Sequence, residues 1–349
     1  MEENKRRIKT LQKQLRSKKI GAMFLTDKTN ILYLCNFRGS NGRLLVTPKK
    51  ATLITDFRYY VSAKKMLPKG VGIYDYKKPI LKLMGRARSL GFEENHVTVA
   101  GHKALKKALP KVKLLPLGGL VEEMRAMKDE GEMKIIRAAV KITDECLRRW
   151  IDKVKVGMSE DDLEWNLRTI ARNLGAEGFS FDPIITFGKN TADVHHSKES
   201  NRLKKGEHLL IDFGLKYKGY CTDMTRVFFI GKTNKTVQKI CSIVLKANQA
   251  AIRAVKVDRK FSEIDKAARD VIEKAGYGKY FGHSLGHGIG LEVHETPHVN
   301  EKSEDTVKPG MLFTVEPGIY IEGVGGVRIE DMVHVNGRGK VEILTKAAK

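Results

Sequence analysis

The chain has 349 residues, 41% of them hydrophobic, and carries 65 lysines and arginines against 41 acids, a formal net charge of +24. That length supports a large core and favours two domains, while no apolar run approaches the roughly 18 residues of a membrane span and the opening MEENKRRIKTLQKQLRSKK lacks the apolar region of a secretion signal. A membrane role loses support, the expected residence is the cytoplasm, and Cys35, Cys146, Cys221 and Cys241, far apart and without a CxxC pair, read as free buried thiols rather than a disulfide framework or a thiolate zinc site.

In chain order, residues 3 to 19 read as a basic amphipathic helix. The apolar runs GAMFLT, NILYLCNF and RLLVTPKKATLITD follow, separated by polar turns, as in a small open-sheet α/β domain. Residues 1 to 125 hold 28 lysines and arginines against 9 acids, so most of the net charge lies here. The basic residues are dispersed and no nucleic-acid motif or aromatic interleaving accompanies them, which favours a solvated lysine-rich surface over a nucleic-acid face. The Pro/Gly break in LPLGGL then leads into a long helical period with Ile135, Ile136, Ala139, Ile142, Cys146 and Leu147 on one face. The boundary is placed near 121, giving domains 1–121 and 122–349 in an α+β chain.

The second domain contains an internal repeat. VKVGMSEDDLEWNLRTIARNLGAEGF parallels VKVDRKFSEIDKAARDVIEKAGYGKYF, each with a serine read as the N-cap (Ser159, Ser262) and a glycine-closed end. Asp212 lies 53 residues after Ser159 and Glu316 lies 54 after Ser262, each in an apolar strand-like run. Each is followed by a second strand with another acid, Asp223 in YCTDMTRVFF and Glu330 in GVRIEDMVHV. Hairpin pairing would point both acids of a half to one side. Four strand-borne carboxylates repel one another when buried unless cations balance them. Oxygen ligands with one imidazole suit Mn(II), Fe(II), Co(II) or Zn(II), and HSLGHGIGLEVHETPH, with four of the ten histidines and no lysine or arginine, is where that imidazole is expected.

The segments IDFGLKYKGYCTDMTR, GHSLGHGIGLEVHE, TVEPGIY and GVRIEDM resemble, in order and spacing, the ligand pattern of the pita-bread metallopeptidases, the group containing prolidase, aminopeptidase P, creatinase and methionine aminopeptidase. The likeness extends over about 122 to 349, and the basic first domain resembles the amino-terminal domain of the creatinase, prolidase and aminopeptidase P branch. The resemblance implies a pseudo-two-fold pita-bread catalytic domain in which Asp212, Asp223, His287, Glu316 and Glu330 hold two divalent metal ions, Asp223 and Glu330 bridging. Mn(II) is the first expectation, with Co(II), Zn(II) or Fe(II) as alternatives. It makes Glu316 the proton acceptor and donor, His195, His283 and His294 substrate and transition-state contacts, and Arg328 a residue that orients a ligand. His298 is read as structural, and His196 as a neighbour of His195 rather than a catalyst.

The branch implies peptides with proline in second position as substrates, and a homodimer. The complete ligand set argues against creatinase chemistry, which does not need the metals. Around His195 the run SFDPIITFGKNTADVHHS is closer to short bacterial aminopeptidases P than to prolidases, so release of the first residue is the leading expectation and cleavage confined to Xaa-Pro dipeptides the alternative. The rival from another class is a non-catalytic binding protein using the basic domain on nucleic acid or an acidic partner; the intact ligand set weighs against it.

Overall fold

A computed structural model describes residues 2–349, and the chain divides after Arg125 into two compact units. In the first, helix α1 (Glu2–Ser17) turns Ile8, Leu11 and Leu15 inward, and strand β1 (Ala22–Leu25) follows. NILYLCNF is not part of the sheet but forms helix α2 (Lys28–Cys35), because Asp27 caps it by accepting from the Asn30 amide and Asn36 closes it in the left-handed region at φ 58°. Then come β2 (Gly42–Val46), β3 (Ala51–Thr55), α3 (Tyr60–Met66), β4 (Val71–Asp75), α4 (Leu81–Met84), β5 (Ser89–Glu93), α5 (Val99–Ala108), β6 (Lys113–Leu117) and α6 (Leu120–Ala126). The strands form one sheet in the order β4-β3-β2-β1-β5-β6. Only β2 runs against the others, so the carboxyl ends of β1, β3, β4, β5 and β6 share one edge.

The second unit begins with α7 (Glu130–Ile151), started by a reciprocal cap between Asp129 and Glu132. Its buried stripe runs through Met133, Ile136, Ala139, Val140, Cys146, Leu147 and Trp150; Ile135 and Ile142, read as part of that stripe, lie on its flanks and are only partly buried. Helix α8 (Glu160–Asn173) and four strands, β7 (Gly178–Phe179), β8 (Ile184–Phe187), β9 (His208–Phe213) and β10 (Leu215–Tyr217), follow, then β11 (Tyr220–Cys221) and β12 (Met224–Phe229). The other half contains α9 (Lys235–Ala254), α10 (Phe261–Lys274), β13 (Gly286–Gly288), β14 (Glu295–Val299), β15 (Leu312–Val315), β16 (Gly318–Ile321), β17 (Gly325–Arg328), β18 (Asp331–Val335) and β19 (Val341–Ile343).

The repeat is physical, with one correction. Helices α8 and α10 are both 14 residues long and end at left-handed glycines, Gly175 at φ 89° and Gly276 at φ 84°. Ser159 caps α8 as expected, but Ser262 lies inside the first turn of α10, and the residue matching Ser159 is Lys260. The cause is long-range pairing: Ser159 bridges Arg202 and Lys260 bridges Thr306, which holds each in extended backbone immediately before its helix. In one half Trp150, Leu163 and Leu167 pack against Ile211, Phe213 and Met224; in the other Val244, Phe261 and Ile264 pack against Phe313, Val315 and Val327. This is the pita-bread architecture. Cys35, Cys146 and Cys221 are free and buried, Cys241 is free and partly exposed, and no helix among the described residues is long and apolar enough to cross a membrane.

Candidate active site

Strand pairing places the acids. β9 and β12 run antiparallel with Asp212 opposite Thr225, and Asp223 immediately precedes β12 two residues from Thr225, so period-2 alternation aims both acids to one side. The connecting LKYKGY is itself a small hairpin, β10 with β11. In the other half, Val315 pairs with Asp331 in β15/β18 and Gly318 with Arg328 in β16/β17, so Glu316 and Glu330 sit opposite each other where one ladder gives way to the next. The halves are tied directly. The Glu330 amide donates to the Thr225 carbonyl at 3.2 Å, and the Thr225 hydroxyl donates to Glu330 Oε2 at 2.8 Å.

Close backbone approach admits His287. A Cβ on Gly286 would lie 2.1 Å from the Thr314 carbonyl oxygen and one on Gly288 2.1 Å from that of Thr296, so neither position tolerates a side chain. The His287 amide is held by the Thr314 hydroxyl at 3.1 Å, and ring Nδ1 faces the Gly288 carbonyl at 3.0 Å, which fixes the proton there. Nε2 therefore presents a lone pair, 3.6 Å from Asp223 Oδ2 and 3.4 Å from Glu316 Oε1. Burial lowers the His287 value to about 4, consistent with a neutral ring.

The acids meet the same space. Burial first, then the charges of Glu330, Asp212 and Glu316, raise Asp223 well above the carboxylate range, and burial with Glu316 and Asp212 does the same to Glu330. Glu316 is pushed up to about 8, chiefly by burial. Asp212 Oδ1, Asp223 Oδ1 and Glu330 Oε1 are buried without a hydrogen-bond partner, and ligand atoms of Asp223, His287 and Glu330 lie within 4.8 Å of one another. Buried carboxylate oxygens without partners, gathered beside an unprotonated imidazole nitrogen, fit divalent cations.

Around them runs a chain of bonds partly missing from the sequence reading. Arg328 donates from Nη2 to Asp212 Oδ2 at 2.5 Å, from Nε to the Thr225 hydroxyl at 3.0 Å and from Nη1 to the Tyr320 hydroxyl at 2.7 Å. Tyr320, kept protonated by burial that raises it to about 12, donates to His283 Nε2 at 3.1 Å. His283 is held neutral, lowered to about 4 by burial and then by the charge of Arg328. Tyr320 lies within the quoted TVEPGIY and Thr225 two residues after Asp223, where alternation could have flagged them; a strand hydroxyl is otherwise an ordinary residue.

The other histidines divide. His294 packs edge-on against His287 with ring centroids 4.4 Å apart. His195 lies exposed beyond Gly188–Ala192, its amide on Asp193, close enough for its charge to bear on His283. His196 is buried against Glu160 at 2.9 Å, and His298 stands directly across the ladder from His287.

Residues 134–337 match the model of Metallopeptidase family M24 and residues 7–127 that of the Creatinase/Prolidase N-terminal domain. The chain belongs to this family of metal-dependent Xaa-Pro peptidases. It is 36% identical over 326 residues, 92% of both chains, to the uncharacterized peptidase YqhT of Bacillus subtilis. Among solved structures, it is similar to the Xaa-Pro dipeptidase from Bacillus anthracis, with TM-score 0.94, 36% identity and 99% and 98% of the two chains covered. It is also similar to the X-Pro aminopeptidase from Thermotoga maritima, with TM-score 0.87, 34% identity and coverage of 95% and 98%.

Proposed function

We propose that the chain hydrolyses the bond between the first residue and a following proline, releasing that residue from tripeptides and longer peptides. The observation that carries the hydrolytic reading is that Asp223, His287 and Glu330 bring ligand atoms within 4.8 Å of one another while buried carboxylate oxygens of Asp212, Asp223 and Glu330 have no hydrogen-bond partner. Asp212, Asp223, His287, Glu316 and Glu330 would hold two divalent cations, Mn(II) first, with Asp223 and Glu330 shared, supplying an activated water and a polarised scissile carbonyl. Glu316, held ionised beside the cations, takes the proton of the attacking water and returns it to the prolyl nitrogen, which leaves as a secondary amine. His195, His283 and His294 contact substrate, and His195 and His294 donate to the carbonyl oxygen as it gains charge. Arg328 holds Asp212 in place and, through Tyr320, orients His283. On the resemblance to this branch we extend the reading to a cytoplasmic homodimer.

The aminopeptidase form is favoured over the dipeptidase form by the commitments of the arginines bonded to site residues. A dipeptidase needs a cation for the free carboxylate of proline. Arg328 is engaged by Asp212, Thr225 and Tyr320, and Arg269 by Asp265 and the carbonyls of Phe281 and His283. The dipeptidase reading is favoured by the likeness to the Bacillus anthracis structure. Comparing kcat/KM on Ala-Pro, Ala-Pro-Ala and Ala-Ala-Ala with saturating Mn(II) decides. Cleavage of Ala-Pro-Ala supports the proposal, activity confined to Ala-Pro replaces it with the dipeptidase, and faster cleavage of Ala-Ala-Ala removes proline specificity.

A further inference from the structure

The first unit contains a cavity of about 630 Å³ that no part of the peptidase chemistry uses, within the size range of small-molecule sites. Its position follows from strand order. From β1 the chain winds outward through β2, β3 and β4 on one side, then returns to place β5 and β6 on the other. The winding reverses between β1 and β5, and open α/β sheets bind ligands in the crevice outside the carboxyl ends of the strands at such a point. Thr26 follows β1 and His96 and Val97 follow β5, and all three line the cavity.

The lining separates into two chemistries. The inner wall is apolar: Phe24 and Ile54 from the sheet, Tyr74 at the end of β4, Ile80, and Ala104 and Leu105 of α5. The rim carries Lys28, Arg43, Lys78 and His96, and no aspartate or glutamate lines the cavity anywhere. The side chains of Lys28, Arg43 and Lys78 make no hydrogen bond or ion pair, whereas that of Arg58 nearby is fully engaged by Asp56. His96 is poised 3.8 Å from both Asp27 and Glu122. The Thr98 side chain accepts from the Gly101 amide and so starts α5 at the cavity wall.

We propose that this cavity is a binding site for a small organic anion with a flat apolar body, the body lying between the sheet and α5 and the anionic group meeting Lys28, Arg43 and Lys78. The apolar wall shared by the sheet and α5, with Tyr74 beside it, calls for an apolar body. Three unpaired cations with no competing carboxylate explain why the ligand must be an anion, and the excess positive charge of this unit raises the local concentration of such ligands.

The test is calorimetric titration of the full-length chain with adenosine 5′-monophosphate, which has both features, beside adenosine, which lacks the anion, and inorganic phosphate, which lacks the flat body. Sub-millimolar binding of the monophosphate, with both partial ligands weaker by at least about tenfold, supports the site. Arg43→Ala combined with Lys78→Ala should weaken it by a similar factor, and Ala104→Trp, which fills the slot from α5, should abolish it. Peptidase activity retained in both variants verifies folding. Absence of monophosphate binding, equal binding of phosphate alone, or binding that persists in Ala104→Trp overturns the proposal.

Discussion

His208 reports on how the hairpin β16/β17 beside the candidate site is anchored, and its titration is expected to be strongly displaced. The ring is 2% exposed, and its Nε2 lies 2.7 Å from the Thr191 hydroxyl and 3.2 Å from the Gly326 carbonyl. The Thr191 hydroxyl donates to Gly188 O and accepts from Gly326 N, so it can only accept from His208, which carries its proton on Nε2. Burial lowers the folded value from 6.5 to about 4, offset only by the Gly326 carbonyl. The neutral ring's contribution is therefore fully present above pH 6.5 and is lost as pH falls toward 4, a full swing of about 3 kcal/mol, of which about 2.5 is gone by about pH 4.5. His208→Gln keeps an N–H donor at the same reach but does not titrate. The metal-free chain is unfolded in urea at neutral pH and at about pH 4.5, for wild type and variant, while NMR follows the His208 ring directly. The wild type should lose about 2.5 kcal/mol more than the variant. A ring titrating above about 6, or equal losses in both proteins, refutes the argument.

Asp223→Asn and Glu330→Gln should each abolish peptidase activity and lower bound metal measured by elemental analysis, since each acid would serve both ions; full turnover in a thoroughly metal-free wild type contradicts the metal reading. Thr225→Val removes the hydroxyl that donates to Glu330 and accepts from Arg328, leaving a buried guanidinium N–H unpaired. It should cost about 2–3 kcal/mol by calorimetry and at least about tenfold in kcat; an unchanged kcat would show that Arg328 is held without it. Lys128 and Glu295 form an ion pair at 3.1 Å with side chains 1% and 4% exposed. Lys128→Met alone should cost about 3–5 kcal/mol in urea unfolding, and Lys128→Met with Glu295→Gln distinctly less, because the single change strands a buried charge.

Much of this site was legible because its parts are local. Each acid lies in or directly beside a strand whose alternation can be read from its neighbours, and the glycines around His287 mark where backbone passes close to backbone. Legibility failed where a distant partner decides the outcome. Ser262 looked like a helix cap by the usual preference, but pairing of Lys260 with Thr306, 46 residues away, starts α10 earlier. NILYLCNF reads as a plain apolar run, and its helical state depends on the cap at Asp27 and the turn at Asn36. Alternation could place Tyr320 on the site face, but not its role, which lies in touching both Arg328 and His283, residues that the sequence separates by 45 positions.

Thr225 and Glu330 clasp each other across the two halves by backbone and by side chain, and each half brings only part of the proposed cation-binding set. A chain cut in the exposed turn at Gly231–Lys232, between β12 and α9, would yield one fragment holding Asp212 and Asp223 and another holding His287, Glu316 and Glu330. Neither fragment would hold the whole set, so activity is expected only on reassembly, which would make the fold a split reporter whose signal is the hydrolysis of a peptide bond.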